Sequence, residues 1–307
     1  MSKKIIAICG SYGKTTLKEI LFQILSAKFK VLQSFGNENT ALGISKLVNK
    51  LTTEHQILLL EFGEFAVGDI HNLCELFPPN IGIITGINNQ HNERMGGIDN
   101  AIKCMFEMAE FCQTLILNID DQNVRENWQK FVQKNQEIWF YSSENNSQSI
   151  QFQKAEFDKE NWRWKVEIAK KELQGLAKSV NKNLTQNSDQ ITKEEEENLT
   201  NSTQSLENNL EDDYILDNKS QIEQTEIFGI HLLGKYAVGN LICGLIIGKK
   251  LGMSDLQIHL GLQNIVPIKH RLEPIWNEKS QILVIDDSYS GNIDGVLEAI
   301  EVLARLK

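Results

Sequence analysis

Apolar positions recur in two rhythms along the first 140 residues of the 307-residue chain. Short runs rich in Ile, Leu and Val stand at Lys4–Cys9, Gln56–Leu60, Ile81–Thr85, Leu115–Asn118 and Ile138–Tyr141, with a weaker one at Lys30–Leu32. Between them, apolar residues three and four positions apart predict helices at Thr15–Ala27, Ala41–Leu51, Ile98–Phe111 and Asn123–Lys134. Strands alternating with amphipathic helices make an α/β fold on a mostly parallel sheet. Runs without polar alternation, such as Ile57-Leu58-Leu59-Leu60, belong in a sheet covered by helices on both faces.

Beyond residue 150 the rhythm changes. Trp162-Arg163-Trp164-Lys165-Val166-Glu167-Ile168 alternates strictly, which predicts a small antiparallel β portion over Ile150–Ile168. Asn181–Gln224 then loses periodicity altogether. It is rich in Asn, Glu, Ser, Gln and Thr, with Tyr214 as its single aromatic residue. Such a stretch buries too little apolar surface to offset its ordering entropy, and a disordered surface insertion is expected. Order returns at Ile227, with helices at about Tyr236–Leu251 and Ser254–Asn264. A strand at Ile282–Ile285 and a helix at Val296–Leu306 follow. The expected organisation is one domain over residues 1–280, interrupted by 181–224, and the start of a second over 281–307.

Composition narrows the classes. The apolar fraction, 41%, suits a chain with a real core. No apolar run approaches the roughly 20 residues of a membrane span. Lys3-Lys4 followed by Ile5–Cys9 meets a glycine-rich turn rather than a cleavage site, so a cytoplasmic protein is expected. Five scattered cysteines without a CxxC pair read as reduced thiols. The net charge is −10, but Asn181–Gln224 holds eleven acidic and three basic residues and so carries most of it. The near-neutral remainder argues against a nucleic-acid partner.

Candidate chemistry begins where the first strand ends. Gly10-Ser11-Tyr12-Gly13-Lys14-Thr15-Thr16 lies between an apolar strand and a helix, the setting of a phosphate-binding loop. Glycines let backbone N–H groups turn toward phosphate oxygens, and the helix start adds its positive dipole end. Lys14 would neutralise β- and γ-phosphates, and the Thr15 hydroxyl would ligate Mg2+. As a loop lysine, Lys14 is expected to be exposed and to contribute little to stability. Ile8 stands where the long form of the motif has its first glycine, so this is the short GxxGKT form. The strand at Gln56–Leu60 runs into Glu61, a carboxylate at a strand end within reach of a metal on those phosphates. His91 and Lys103 lie twelve residues apart, the latter on a predicted helix. Alone, each reads as a surface residue.

Together these segments resemble the Mur ligases, in the branch that joins D-alanyl-D-alanine to UDP-N-acetylmuramoyl-tripeptide. Cys9–Thr16 matches that family's Thr-Gly-Ser-x-Gly-Lys-Thr-Thr loop, with Cys9 in place of Thr. Gly36-Asn37-Glu38-Asn39-Thr40-Ala41-Leu42-Gly43 matches a Gly-Asn-x-Asn-Asn-x-x-Gly loop. Glu61–Ile70 corresponds to Glu-Met-Gly-Ala-x-x-x-Gly-Asp-Ile, and His91-Asn92-Glu93 and Ala101-Ile102-Lys103 also have counterparts. Asn240 falls on the second Asn of a His-Asn-x-x-Asn helix, although Tyr236-Ala237 replace its first pair. His270-Arg271 falls on a Gly-Arg pair, and Asp286–Asn292 on the Asp-Asp-Ser-Tyr-Asn-Ala-Asn hinge of a C-terminal Rossmann-like domain.

The resemblance implies an ATP-dependent ligase of peptidoglycan precursor synthesis, with UDP-muramoyl peptide and D-alanyl-D-alanine as substrates, acting as a monomer. A peptide carboxylate is phosphorylated by ATP, and the acyl phosphate is attacked by an amine. Thr15 and Glu61 would hold one Mg2+, and His91 with Lys103 a second, the lysine carrying a carbamate. Asn240 would lie by the adenine, Arg271 by the phosphates and Asp287 by the ribose. The family's N-terminal domain has no counterpart before the loop, and the C-terminal domain is matched only at its start. Two alternatives therefore stand beside the ligase: a non-ligating nucleotide-binding remnant with a regulatory or scaffold role, and another Mur or folylpolyglutamate-type ligase. An unrelated phosphate-loop ATPase is a third reading.

Overall fold

A computed structural model describes residues 3–36, 38–88, 92–144, 150–176, 225–289 and 293–306. Asn181–Gln224, Asn37, His91 and the last three residues of the Asp286–Asn292 segment lie outside them.

In β1 (Lys4–Cys9), successive side chains point to opposite faces, and both faces are apolar. Ile6 and Ile8 enter one core cluster, Ala7 and Cys9 the other. β3 (Ile57–Glu61) divides in the same way, Ile57 and Leu59 against Leu58 and Leu60. With β2 (Val31–Gln33), β4 (Ile81–Ile84), β5 (Thr114–Asn118) and β6 (Glu137–Tyr141) they form a six-stranded sheet in the order β2-β3-β1-β4-β5-β6. Every neighbouring pair is parallel. Burial on both sides explains the uninterrupted apolar runs.

On one face lies α1 (Lys14–Ser26), whose Leu17, Ile20, Leu21, Ile24 and Leu25 repeat at helical spacing. Beside it pack α7 (Tyr236–Lys250) and α8 (Asp255–Gln263). A Cβ on Gly261 would lie 2.5 Å from Ile24 Cα, so α8 crosses α1 nearly backbone to backbone. The antiparallel sheet β7 (Lys154–Asp158), β8 (Arg163–Ala169) and β9 (Thr225–Ile230) adds Trp164, Val166, Ile168, Phe228 and Ile230 to this core. The opposite face is covered by α2 (Ala41–Val48), α3 (Asp69–Leu76), α5 (Ile98–Phe106) and α6 (Gln122–Asn127), with the single turn α4 (Asn92–Met95) preceding α5.

Three expected helices are shorter than their pattern, and the one expected at Ala41–Leu51 ends at Val48. Ile98–Phe111 is α-helical only to Phe106 and tightens into a 3-10 turn, Glu107–Glu110; the helix expected at Asn123–Lys134 ends at Asn127 and a 3-10 turn, Trp128–Lys130. Tightened last turns satisfy end carbonyls that the α pattern leaves open. The helix α3 and the strand β10 (Glu273–Asn277) were not expected. Strand β10 contains Pro274 and, among the described residues, pairs only with β11 (Ile282–Asp286), leaving Ile275 and Trp276 half exposed, so it carries little apolar rhythm. The expected division at 280/281 falls in the turn of this hairpin. The last helix, α9 (Ile293–Leu306), rests on a small cluster of Leu233, Leu272 and Val302.

The chain passes from β1 out to β2, returns to β3, then crosses β1 to β4 and continues to the other edge. The loops leaving β1, β3 and β4 therefore diverge at one end of the sheet. That opens a crevice beyond their carboxyl ends, the usual ligand position in such sheets.

Candidate nucleotide site

Residues 10–13 leave β1 with two glycines at positive φ, Gly10 at 139° and Gly13 at 77°. At Gly10 a Cβ would lie 2.2 Å from Thr85 Oγ1, so both conformation and space require glycine there. The loop is pinned to the end of β4: Ser11 N donates to the Gly86 carbonyl at 2.7 Å, and Thr85 Oγ1 lies 3.2 Å from the Cys9 carbonyl. Gly13 caps α1 with no side-chain bond, and the first turn holds no acidic residue. The helix start thus faces the crevice with its amide groups and positive end, an arrangement suited to an anion.

Glu61, at the end of β3, is 3% exposed and is held from three sides. Thr15 Oγ1 donates to its Oε2 at 3.0 Å, Lys18 Nζ donates to the same oxygen at 3.3 Å, and Asn39 Nδ2 donates to Oε1 at 3.3 Å. Thr15 and Glu61, predicted as metal ligands, are thereby brought together. Lys18 has no exposed side-chain surface. Lys18 was not singled out from the sequence, and Asn39 was read only as part of the Gly36–Gly43 segment. The available signal was a charged residue among Leu17, Ile20 and Leu21 on the apolar stripe of α1.

Lys14 differs from its expectation. Its side chain is 14% exposed, and Nζ donates to Glu64 Oε2 at 3.1 Å, to Oε1 at 3.3 Å and to the Gly10 carbonyl. A lysine paired with a buried carboxylate has a structural part to play, so it is not the exposed loop residue expected. Burial pushes the Glu64 carboxyl above its ordinary value, against the pull of Lys14. Glu64 was read only as part of the Glu61–Ile70 segment.

Beside the loop lies a cavity of ≈ 240 Å³ lined by Tyr12, Gly13, Thr16, Asn240, Arg271 and Asp287, among others. Asn240, Arg271 and Asp287, expected near adenine, phosphates and ribose, thus share one space with the loop. Arg271 stacks over the Tyr289 ring at 4.4 Å, and Asp287 Oδ1 accepts from Leu272 N at 3.2 Å. Tyr12 donates to Asp121 Oδ2 at 2.8 Å, fixing its ring at the loop. Tyr236 also lines the cavity, and burial raises its phenol above the ordinary range. Lys103 is exposed on α5; His91 lies outside the described residues, so their expected pairing stays an expectation.

The fold and this crevice define the chain first as a phosphate-loop α/β protein. Its residues 8–183 match the family model described as the Mur ligase middle domain. The chain belongs to the Mur ligase family. It is 23% identical over 306 residues to the UDP-N-acetylmuramoyl-tripeptide–D-alanyl-D-alanine ligase of Escherichia coli (strain K12), covering 99% of this chain and 55% of that protein. The chain therefore spans about half the length of the curated relatives it matches. A crystal structure of MurF from Acinetobacter baumannii superposes with TM-score 0.71 at 21% identity, covering 99% of this chain and 55% of the other. MurF ligase from Thermotoga maritima in complex with ADP gives 0.70 at 18% identity, covering 99% and 58%.

Proposed function

We propose that this chain is the ATP-binding part of a ligase that joins D-alanyl-D-alanine to UDP-N-acetylmuramoyl-tripeptide, the activity named for its Escherichia coli relative. One observation carries the reading: the Thr15 hydroxyl and the Glu61 carboxylate meet at 3.0 Å beside a glycine cradle that a Cβ at Gly10 would fill. Hard oxygen donors next to a phosphate loop suit Mg2+, so the residues present fit that ion. When bound, it supplies charge neutralisation at the phosphates. Thr15 and Glu61 would hold it, and His91 with a carbamylated Lys103 would hold a second.

The chain's own groups would act by position and charge. Backbone N–H groups of the loop and Lys14 take the β- and γ-phosphates; Arg271 adds a second cation, Asp287 takes the ribose and Asn240 lies by the adenine. A peptide carboxylate held in line then attacks the γ-phosphorus, ADP leaves, and the amine displaces phosphate from the acyl phosphate to give the amide. A cytoplasmic, monomeric enzyme is part of the same reading. Among the described residues no helix is long and apolar enough to cross a membrane.

The assay supplies the purified protein with ATP, Mg2+, UDP-muramoyl tripeptide and D-alanyl-D-alanine, and follows ADP and UDP-pentapeptide together. ADP formation that depends on both substrates supports the ligase. Nucleotide turnover indifferent to them rejects it. For Lys103, a high-resolution map with nucleotide, Mg2+ and bicarbonate should show a carbamate; a bare ammonium directed to solvent would remove the second metal site.

A further inference from the structure

The phosphate cradle contains a buried carboxylate that the proposed chemistry leaves unused. Glu64 is 3% exposed, and both its oxygens accept from Lys14 Nζ. The same ammonium donates to the Gly10 carbonyl, so it is turned back onto the protein's own oxygens. Glu61 needs nothing from Lys14, because Lys18, Thr15 and Asn39 already compensate it. Two buried acids and two lysines thus pair off separately, Glu61 with Lys18 and Glu64 with Lys14. Glu64 also stands at the alanine of the Glu-Met-Gly-Ala pattern to which Glu61–Ile70 corresponds.

We propose that Glu64 is a positioning residue that holds Lys14 away from incoming nucleotide, so that the terminal phosphates must displace a buried carboxylate to reach the ammonium. The proposal rests on the phosphate-binding reading of Gly10–Thr16. Its physical basis is the asymmetry of buried ion pairs. Removing one partner leaves an uncompensated charge, which costs more than the pair contributed. Here the group that takes Lys14 is itself an anion, so Glu64 is left both unpaired and facing like charge. Any ligand bearing β- and γ-phosphates meets this opposition. AMP does not, because its single phosphate ends before the lysine. Glu64 therefore lowers affinity for the polyphosphate and leaves the nucleoside contacts alone.

The test is calorimetric titration of wild type, Glu64→Ala and Glu64→Gln with ATP and with AMP, each in EDTA and in Mg2+. Both variants should bind ATP about tenfold more tightly in either condition, with AMP affinity unchanged. Glu64→Gln keeps the side-chain volume and so separates charge from packing, and thermal unfolding of each variant verifies the fold. Unchanged ATP affinity overturns the proposal, as does an equal gain for AMP, which would mark general loosening of the site. ATP binding weakened only in Mg2+ also overturns it, since Glu64 would then be a metal ligand. Wild-type protein that binds no nucleotide removes the phosphate-loop reading itself, and this inference with it. Binding of ATP by wild type with no gain in the variants removes the inference alone.

Discussion

The end of the crevice at Gly10–Thr16 and the end lined by Asn240, Arg271 and Asp287 are built in different ways. Gly10–Thr16, Glu61 and Thr85 lie at the carboxyl ends of three adjacent strands, β1, β3 and β4, in a sheet whose two faces are both packed. Asn240, Arg271 and Asp287 reach the same cavity from α7 and from the two flanks of the β10–β11 hairpin. Among the described residues, that hairpin and α9 share only a small core around Leu233, Leu272 and Val302. The apolar stripe of α1 is fully buried, while Val296, Leu297, Ile300 and Leu303 of α9 are more than half exposed. Geometry at the loop end is therefore set by the sheet. At the end lined by Asn240, Arg271 and Asp287 it is set by a thinly packed unit that can shift without disturbing the strands, as a closing element must.

The largest effect should come from Lys14→Ala. Loss of charge-assisted bonds to phosphate should weaken ATP binding about a hundredfold or more by titration. Because Glu64 is left buried without its cation, stability should also fall by about 1–3 kcal/mol in chemical denaturation. Weakened binding with stability unchanged would show that Glu64 finds another partner and that the two roles of Lys14 are separable. Asp287→Ala should act on the other end alone, weakening ATP about tenfold and leaving tripolyphosphate affinity unchanged. An equal loss for tripolyphosphate would mean that the two ends are not independent.

A smaller effect concerns pH. Burial holds the Glu64 carboxyl above its ordinary value. A group whose folded value is raised contributes stability below its unfolded value, and that contribution is lost as pH rises through the folded one. Wild type minus Glu64→Gln should therefore lose stability as pH climbs out of the ordinary carboxylate range, measured by denaturation at several pH values. A difference that grows with pH would mean that Lys14 dominates over desolvation. Smallest of all, replacing 181–224 by a short Gly/Ser linker should change ATP affinity by less than about twofold, since closure entropy varies slowly with loop length. A larger loss would show that this segment contributes to the site.

Periodicity alone identified β1 to β6, the hairpin region near Trp164 and the helices α1 and α7, because each buries a face whose spacing is written in consecutive residues. It also located Gly10–Thr16, since a strand, two glycines and a helix start are local features. Glu64 went unread because its partner Lys14 lies fifty residues away, and neither residue's spacing announces the other. Lys18 was hidden likewise: its charge is tolerated on the apolar stripe of α1 because β3 ends in Glu61 beside it, with Glu19 as a second, longer partner. Asn240, Arg271 and Asp287 were legible one by one through resemblance. Their meeting beside Tyr12 and Gly13 was decided by how α7 and the β10–β11 hairpin pack onto the sheet. Contacts between residues distant in the chain depend on the geometry of the packed elements, and that geometry has no signature in any single stretch of sequence.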